Sequence, residues 1–381
     1  MNLQKHHHVL VAVSGMTPQI ITETLYGIHQ LGLAFPDEIQ VISTAEGARR
    51  IHATLLEQGI LESFCKDYQR PMPIFGKDQI HVLHDAAGNA MSDIRKPVEN
   101  EYMADMIVNR IQKLTADGDQ SLHVSLAGGR KTMGYYVGYA LSLFGRPQDV
   151  LSHVLVADDY ESSPDFWYPT PYPKSIRSRS GKDVDARLAE VHLAQIPFVR
   201  LREWLPQPVL LNAQSFSEVV ANTQMAYRAN FLVVDVPACR ISLNGHAPVI
   251  LGEVDFAFYW LMARRLQQNK SGIPVLVDGE YDYELGDEFL SCYRRIKKME
   301  PDESDRTVQG LKVRDSVTGQ DRYGLTKSFI EQRKVKINQA FSTQYGLLCV
   351  ERFGINRPSA ESGDLRRYML ALSPHELQLK E

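Results

Sequence analysis

Two short stretches of this chain set glycines, hydroxyls and cations at spacings that suit an anion. In Ser125-Leu-Ala-Gly-Gly-Arg-Lys-Thr-Met133 a short apolar strand breaks at Gly128-Gly129 and is followed by two adjacent cations, Arg130 and Lys131. A helix then runs through Tyr135, Val137, Leu141 and Phe144. A strand that turns at glycine into a helix leaves several backbone N–H groups unpaired at the helix start. Those donors, the helix dipole and the two cations converge on one small volume, which suits phosphate above other anions. A Cβ at either glycine would hold such a ligand away from the backbone.

The second stretch is Val9-Leu-Val-Ala-Val-Ser-Gly-Met-Thr-Pro-Gln-Ile-Ile-Thr-Glu-Thr-Leu25. Its first five residues are continuously apolar, the pattern of a strand buried on both faces of a parallel sheet. Ser14-Gly15 turns the chain, Thr17 is the expected N-cap, and Pro18 suits the first helical position, where its missing N–H costs nothing. In open parallel sheets ligands bind beyond the carboxyl ends of the strands, where the strand order reverses. Two such ends, one neutral and one cationic, form a single site if their strands are neighbours.

Ser14-Gly-Met-Thr-Pro-Gln-Ile-Ile-Thr-Glu-Thr-Leu25, paired with Leu126-Ala-Gly-Gly-Arg-Lys-Thr-Met133, resembles the CRISPR-associated Rossmann-fold (CARF) family. Within it the match is to the ring nucleases, which bind and in many cases cut cyclic oligoadenylates. Asp165-Phe-Trp-Tyr-Pro-Thr-Pro-Tyr172 and Leu193-Ala-Gln-Ile-Pro-Phe-Val-Arg-Leu-Arg202 are similar to stretches that follow the sheet in that branch, so the resemblance covers residues 8–202. It implies that Ser14 and Lys131 contact and help cleave the cyclic ligand, with Arg130, Gly128 and Gly129 in the phosphate-binding loop. Gly15, Met16, Thr17, Gln19 and Thr132, which flank the same two turns, are expected ligand contacts. Trp167 and Tyr168 are expected to stack on adenine.

These residues need a scaffold. The chain has 381 residues, enough for two domains and a substantial core. Its net charge of −4 gives no global pull towards nucleic acid, so any such binding is local. Cys65, Cys239, Cys292 and Cys349 form no C-x-x-C pair, which argues against a zinc site or disulfide framework and for a reducing cytoplasm. No apolar run approaches the roughly 18–20 residues of a membrane span, and no secretory signal is evident. His6-His7-His8 abuts the first strand and reads as edge sequence or an added remnant more readily than as a metal tract.

Strand–helix alternation continues through a strand at 38–43, a helix at 45–58, a strand at 79–83, a helix at 99–115, the motif strand at 121–127 and a strand at 152–156. That pattern predicts an α/β fold with a Rossmann-like parallel sheet and all βα turns on one edge. Residues 158–186 break it with closely spaced prolines, Phe166, Trp167, Tyr168 and Tyr172, then Arg177, Arg179 and Lys182. The functional expectation is a lid that stacks on bases and neutralises phosphates. The plainer alternative is a connector packed on the domain surface. Arg187 and His192 have the R-x4-H spacing of HEPN-type ribonucleases, in a stretch read as the start of a helix.

Prolines 206 and 208 suggest domains at 1–205 and 206–381. In the second, strands are expected at 231–236 and 239–243 with a hairpin signal at Asn244-Gly245, and helices at 253–268, 286–298 and 326–342. The polar stretch 300–323 reads as partly disordered, and Leu347–Arg352 and Arg366–Leu372 read as two strands of a wing. The order resembles a smaller α+β winged helix-turn-helix domain, which implies that Lys327, Arg333, Lys334 and Lys336 meet DNA.

The sequence thus predicts a cytoplasmic homodimer that grips a cyclic oligoadenylate across its two-fold axis. Cleavage is expected without metal or other cofactor, by attack of a ribose 2′-hydroxyl to give a 2′,3′-cyclic phosphate. Lys131, helped by Arg130, would stabilise the phosphorane, and Ser14 would position the reacting groups. The alternatives are a ligand-sensing transcription regulator that binds DNA through its second domain, or a ribonuclease resting on Arg187 and His192. No G-x-G-x-x-G follows the first strand, which argues against a nicotinamide enzyme.

Overall fold

The computed structural model of the chain describes residues 7–161, 163–211, 215–224, 231–244, 246–270, 272–297, 304–314, 319–358 and 366–381. Two compact units emerge, Met1–Glu203 with Leu210–Val219, and Trp204–Val209 with Val220–Glu381.

The first unit begins β1 (His7–Ser14), α1 (Gln19–Gln30), β2 (Glu38–Ser43), α2 (Ala45–Ile51), α3 (Ile60–Asp67), β3 (Ile80–Val82) and α4 (Pro97–Ala116). It continues with β4 (Gln120–Ser125), α5 (Lys131–Phe144), β5 (Val150–Val156), β6 (Ser175–Arg177), β7 (Asp183–Asp185) and β8 (Val191–Gln195). Six strands form one sheet in the order β3-β2-β1-β4-β5-β8. The first five are parallel and β8 runs antiparallel to β5. The strand order reverses between β1 and β4, which is where the Rossmann-like reading of the sequence requires it. Val9 to Val13 are at most 1% exposed, and Ile21, Leu25 and Ile28 of α1 are fully buried against the sheet. Each of these Val, Leu and Ile side chains contributes about 1.5–3 kcal/mol on leaving water, so the β1–α1 turn rests on well-buried elements.

Several local expectations are corrected. α1 is capped by Pro18, with no side-chain bond, and not by Thr17. The helix after Thr44 becomes a π-helical turn at His52–Glu57. The stretch holding Arg187 and His192 is not a helix: Arg187 lies in a short 3-10 turn and His192 on β8, where pairing with β5 overrides local preference.

The second unit is built around the helix Glu253–Gln267, whose residues 256–263 are all buried, with Tyr283–Lys297 and Lys327–Tyr345 beside it in the same core. Leu347–Phe353 is a helix and not the expected strand, because Cys349 and Phe353 recur at helical spacing on the buried side. Arg367–Leu370 pairs instead with Ile355–Asn356 on one side and Ile273–Pro274 on the other. The hairpin Leu232–Asp235/Arg240–Leu243 turns at residues 236–239, and Gly245 of the expected turn lies outside the described residues. Within the stretch 300–323, the described part forms a helix, Arg306–Leu311, and a strand pair, Lys312–Arg314 with Asp321–Tyr323.

Candidate functional site

β1 and β4 lie side by side, Ala12 opposite Ser125, so the turns that leave them are neighbours at one end of the sheet. The contact is close: a Cβ on Gly15 would stand 3.6 Å from the Gly129 Cα. At Gly128 a Cβ would meet the Val13 carbonyl oxygen at 2.6 Å and Ile20 at 3.0 Å, so only glycine lets the β4 turn nest against β1 and α1. Gly129 follows at φ +76°, a conformation that other residues adopt at a cost. Ser43 at the end of β2 donates its hydroxyl to the Ser14 carbonyl at 2.6 Å and fixes the third strand end to the same place.

Neither α1 nor α5 has a side-chain cap, whereas α2 is capped by Thr44, which accepts from the Gly47 N–H. The first turns of α1 and α5 therefore keep backbone donors and the positive ends of two dipoles for a ligand. Lys131 and Thr132 are exposed at the start of α5, and Met16 and Thr17 are exposed in the β1–α1 turn. Ser14 differs from expectation: it is fully buried, and its hydroxyl donates to the Thr17 carbonyl at 3.3 Å. Its hydroxyl reaches a phosphate only by exchanging that bond, so in this arrangement it shapes the turn.

Arg130 does not stand as a free cation. Its Nε donates to Asp93 Oδ1 at 2.9 Å and its Nη2 to Oδ2 at 2.6 Å. That guanidinium holds the Asp93 carboxyl well below the usual carboxylate range, helped by the Ile94 N–H and by Arg95. Asp93 was not singled out from the sequence, where Ser92-Asp93-Ile94 carries no motif.

Two polar residues of α1 are also buried. Gln19 is 5% exposed, and its Oε1 has no hydrogen-bond partner. Glu23, one turn further on, is pushed up to about 8 by burial and then by the charge of Glu161. It is therefore largely protonated at neutral pH. The sequence signal for Glu23 was a lone acid between Thr22 and Thr24 on an otherwise apolar helix, too faint to single it out.

The loop at 158–186 packs on α1 and α3. Phe166 is 1% exposed against Tyr160, and Tyr168 stands edge-on to Phe64 at 5.0 Å while its hydroxyl donates to Asp67 at 2.9 Å. These two rings have no free face for a base, and the lid expectation is corrected for them. Trp167 is partly buried, and its carbonyl accepts from Thr22 Oγ1 at 2.6 Å. Tyr172 is exposed and also donates to Asp67, at 3.1 Å. Arg177, Arg179 and Lys182 are exposed on or within the β6–β7 hairpin. Arg187 is tied to Asp185 at 3.2 Å.

In the second unit three of the four cations proposed for DNA are in ion pairs. Lys327 pairs with Asp278 at 3.1 Å, Arg333 with Asp255 at 3.1 Å and Lys334 with Glu331 at 2.6 Å, while Lys336 is exposed. Among the described residues no cluster of three or more His, Cys, Asp or Glu is arranged to hold a metal, and no helix is long and apolar enough to cross a membrane. His7 lies 3.3 Å from Glu38 and His8 is 2.6 Å from Ser121, as members of β1; His6 lies outside the described residues.

A family model described as CRISPR-associated protein NE0113 matches residues 17–229. No curated protein matches the chain. Among solved structures the chain is similar to Can2 from Sulfobacillus thermosulfidooxidans in complex with cyclic tetra-adenylate. The identity is 12% over 91% of this chain and 89% of that one, with a TM-score of 0.22, a likeness too weak to build on.

Proposed function

The chain belongs to the CRISPR-associated protein NE0113 family, and from that premise we propose that it is a CARF-type ring nuclease acting on a cyclic oligoadenylate. The observation that carries this reading is the contact of the Gly15 and Gly129 turns beneath two uncapped helix starts, with Lys131 exposed at one of them. Backbone donors, aligned dipoles and a cation at one point favour phosphates of a compact ligand. The partnerless Gln19 Oε1 is an acceptor that a ribose hydroxyl or an adenine amine would satisfy.

The reaction follows from the ligand's own chemistry. A ribose 2′-hydroxyl attacks the adjacent phosphorus, the bond to the 5′-oxygen breaks, and that oxygen leaves with a proton as the 5′-hydroxyl. The products are a linear chain and a 2′,3′-cyclic phosphate, and no metal is needed for the displacement. The protein holds the hydroxyl in line, and Lys131 with the glycine-turn N–H groups stabilises the charge that builds on phosphorus. Labelled cyclic oligoadenylates of several ring sizes test this directly. Wild type is expected to linearise at least one in the presence of chelator, and Lys131→Ala to slow it by roughly 10²–10³-fold. A ring that stays intact while bound removes the nuclease and leaves a sensor; a ring that is not bound removes both.

The rival reading, a ligand-gated DNA-binding regulator, draws less support because Lys327, Arg333 and Lys334 already have acidic partners. A gel shift with and without ring discriminates: a ligand-dependent shift with the ring intact favours the regulator.

A further inference from the structure

Away from the two turns, a crevice of about 940 Å³ runs beside β3, the strand at the edge of the sheet. Ala45, Ala48, Ile80, Val82 and Met106 give it an apolar lining, and Arg49 and Lys77 are exposed on its rim. A second cavity of about 310 Å³ shares His81 and Met106 with it and adds Asn109 and Arg110. No residue of the Ser14–Gln19 or Leu126–Thr132 turns lines either one. His81 Nε2, on the wall the two cavities share, and Asn109 Oδ1, on the smaller cavity alone, are buried atoms with no hydrogen-bond partner. A polar atom buried without a partner is costly, so the pair marks a place built for a polar guest.

We infer that the crevice and the smaller cavity beside it form a second ligand site, which takes a mononucleotide whose base carries an exocyclic amine. Asn109 Oδ1 can only accept, so the guest must bring a donor, which the exocyclic amine supplies. Burial, and then the charge of Arg110, pushes His81 down to about 4, so its imidazole is neutral. A neutral imidazole nitrogen pairs with a ring nitrogen or an amine, and adenine presents both on adjacent atoms. Ile80, Val82 and Met106 suit the faces of a flat ring, and the crevice falls within the roughly 300–1,000 Å³ of small-molecule sites. Arg49 and Lys77 supply charge-assisted bonds for a phosphate. A peptide strand added to the sheet edge is the poorer occupant, because β3 offers only three residues to pair with.

Titration calorimetry of the full chain with adenosine monophosphate, purine riboside monophosphate and inorganic phosphate tests the site. Purine riboside lacks only the amine, and its N1 stays an acceptor. Adenosine monophosphate is expected to bind one per chain, at least about tenfold more tightly than the other two. Asn109→Ala and Arg49→Glu are each expected to weaken it by about tenfold or more, and Lys131→Ala to leave it unchanged. Arg49 is exposed, so its variant tests the site without disturbing the core. Absence of binding, equal affinity for purine riboside monophosphate, or binding lost in Lys131→Ala and kept in Arg49→Glu would each overturn the assignment. None of these results depends on whether the chain cuts a ring.

Discussion

Arg130 meets an incoming phosphate with a carboxylate already bound to it. The Asp93 fork occupies two of its donors, and with Arg130 exposed and Asp93 partly so, solvent screens the pair. A phosphate must either share that guanidinium or accept a carboxylate as neighbour. Removing the carboxylate releases the cation and removes a like charge, and together these outweigh the lost orientation. Asp93→Ala is therefore expected to tighten ring binding by roughly 2–5-fold, with a steeper loss in salt; filter binding at two ionic strengths measures it, and weaker binding would show that the fork positions Arg130. Glu23 poses the opposite case, a carboxyl kept protonated by burial at about 8. Its unfolded-state pKa lies near 4.5, so between about 4.5 and 8 the unfolded chain releases a proton that the folded chain keeps. Stability then falls as pH rises through that window, by up to about 1.4 kcal/mol per pH unit for one proton. Glu23→Gln should flatten that slope, raising the melting temperature at pH 7.5 and leaving it little changed at pH 4; equal slopes in wild type and variant would refute the argument.

At the scale of elements, the β4 turn depends on Gly128 more than on any other residue. An alanine there would press its Cβ against the Val13 carbonyl, which is ladder backbone and cannot move aside without disturbing β1. Gly128→Ala is expected to cost about 1–3 kcal/mol and to part the two turns. It should abolish ring binding at temperatures where circular dichroism still shows a folded sheet; binding as tight as wild type would show that the turns need not touch. Each turn was legible beforehand, because glycine at a strand end followed by a helix is a local signal. That their strands are neighbours was not, since strand order is set by packing between distant segments. Nor were partners supplied from a distance. Asp93 reaches Arg130 from a loop 37 residues earlier in the chain, and a lone aspartate after a turn looks like ordinary surface. The aromatics of residues 165–172 advertise stacking in the sequence, yet Phe166 is buried with Tyr160, Val154 and Val191, and Tyr168 against Phe64 of α3. Short apolar runs misled in the second unit for a related reason. Leu347–Phe353 has the composition of a strand, and only the burial of Cys349 and Phe353 on one side shows it to be a helix.

For the whole molecule, the proposed ligand constrains the assembly. A ring of an even number of identical nucleotides has a two-fold axis, and a dimer of identical chains offers the matching symmetry, each copy presenting the same Lys131 to an equivalent phosphate. The net charge of −4 gives no global pull on the ring, so on the proposed reading affinity comes from two sites acting on one ligand. Native mass spectrometry is expected to find one ring per two chains, and one ring per chain would exclude the shared site. Symmetry also dictates the products. Two active sites cut a four-membered ring at opposite bonds into two dinucleotides with cyclic phosphate ends, whereas a single site stops at the linear tetranucleotide. Dimers assembled from one wild-type and one Lys131→Ala subunit should therefore accumulate the linear tetranucleotide at about half the initial rate. If the mixed dimer instead yields dinucleotides as fast as wild type, each chain acts alone and the ring does not bridge them.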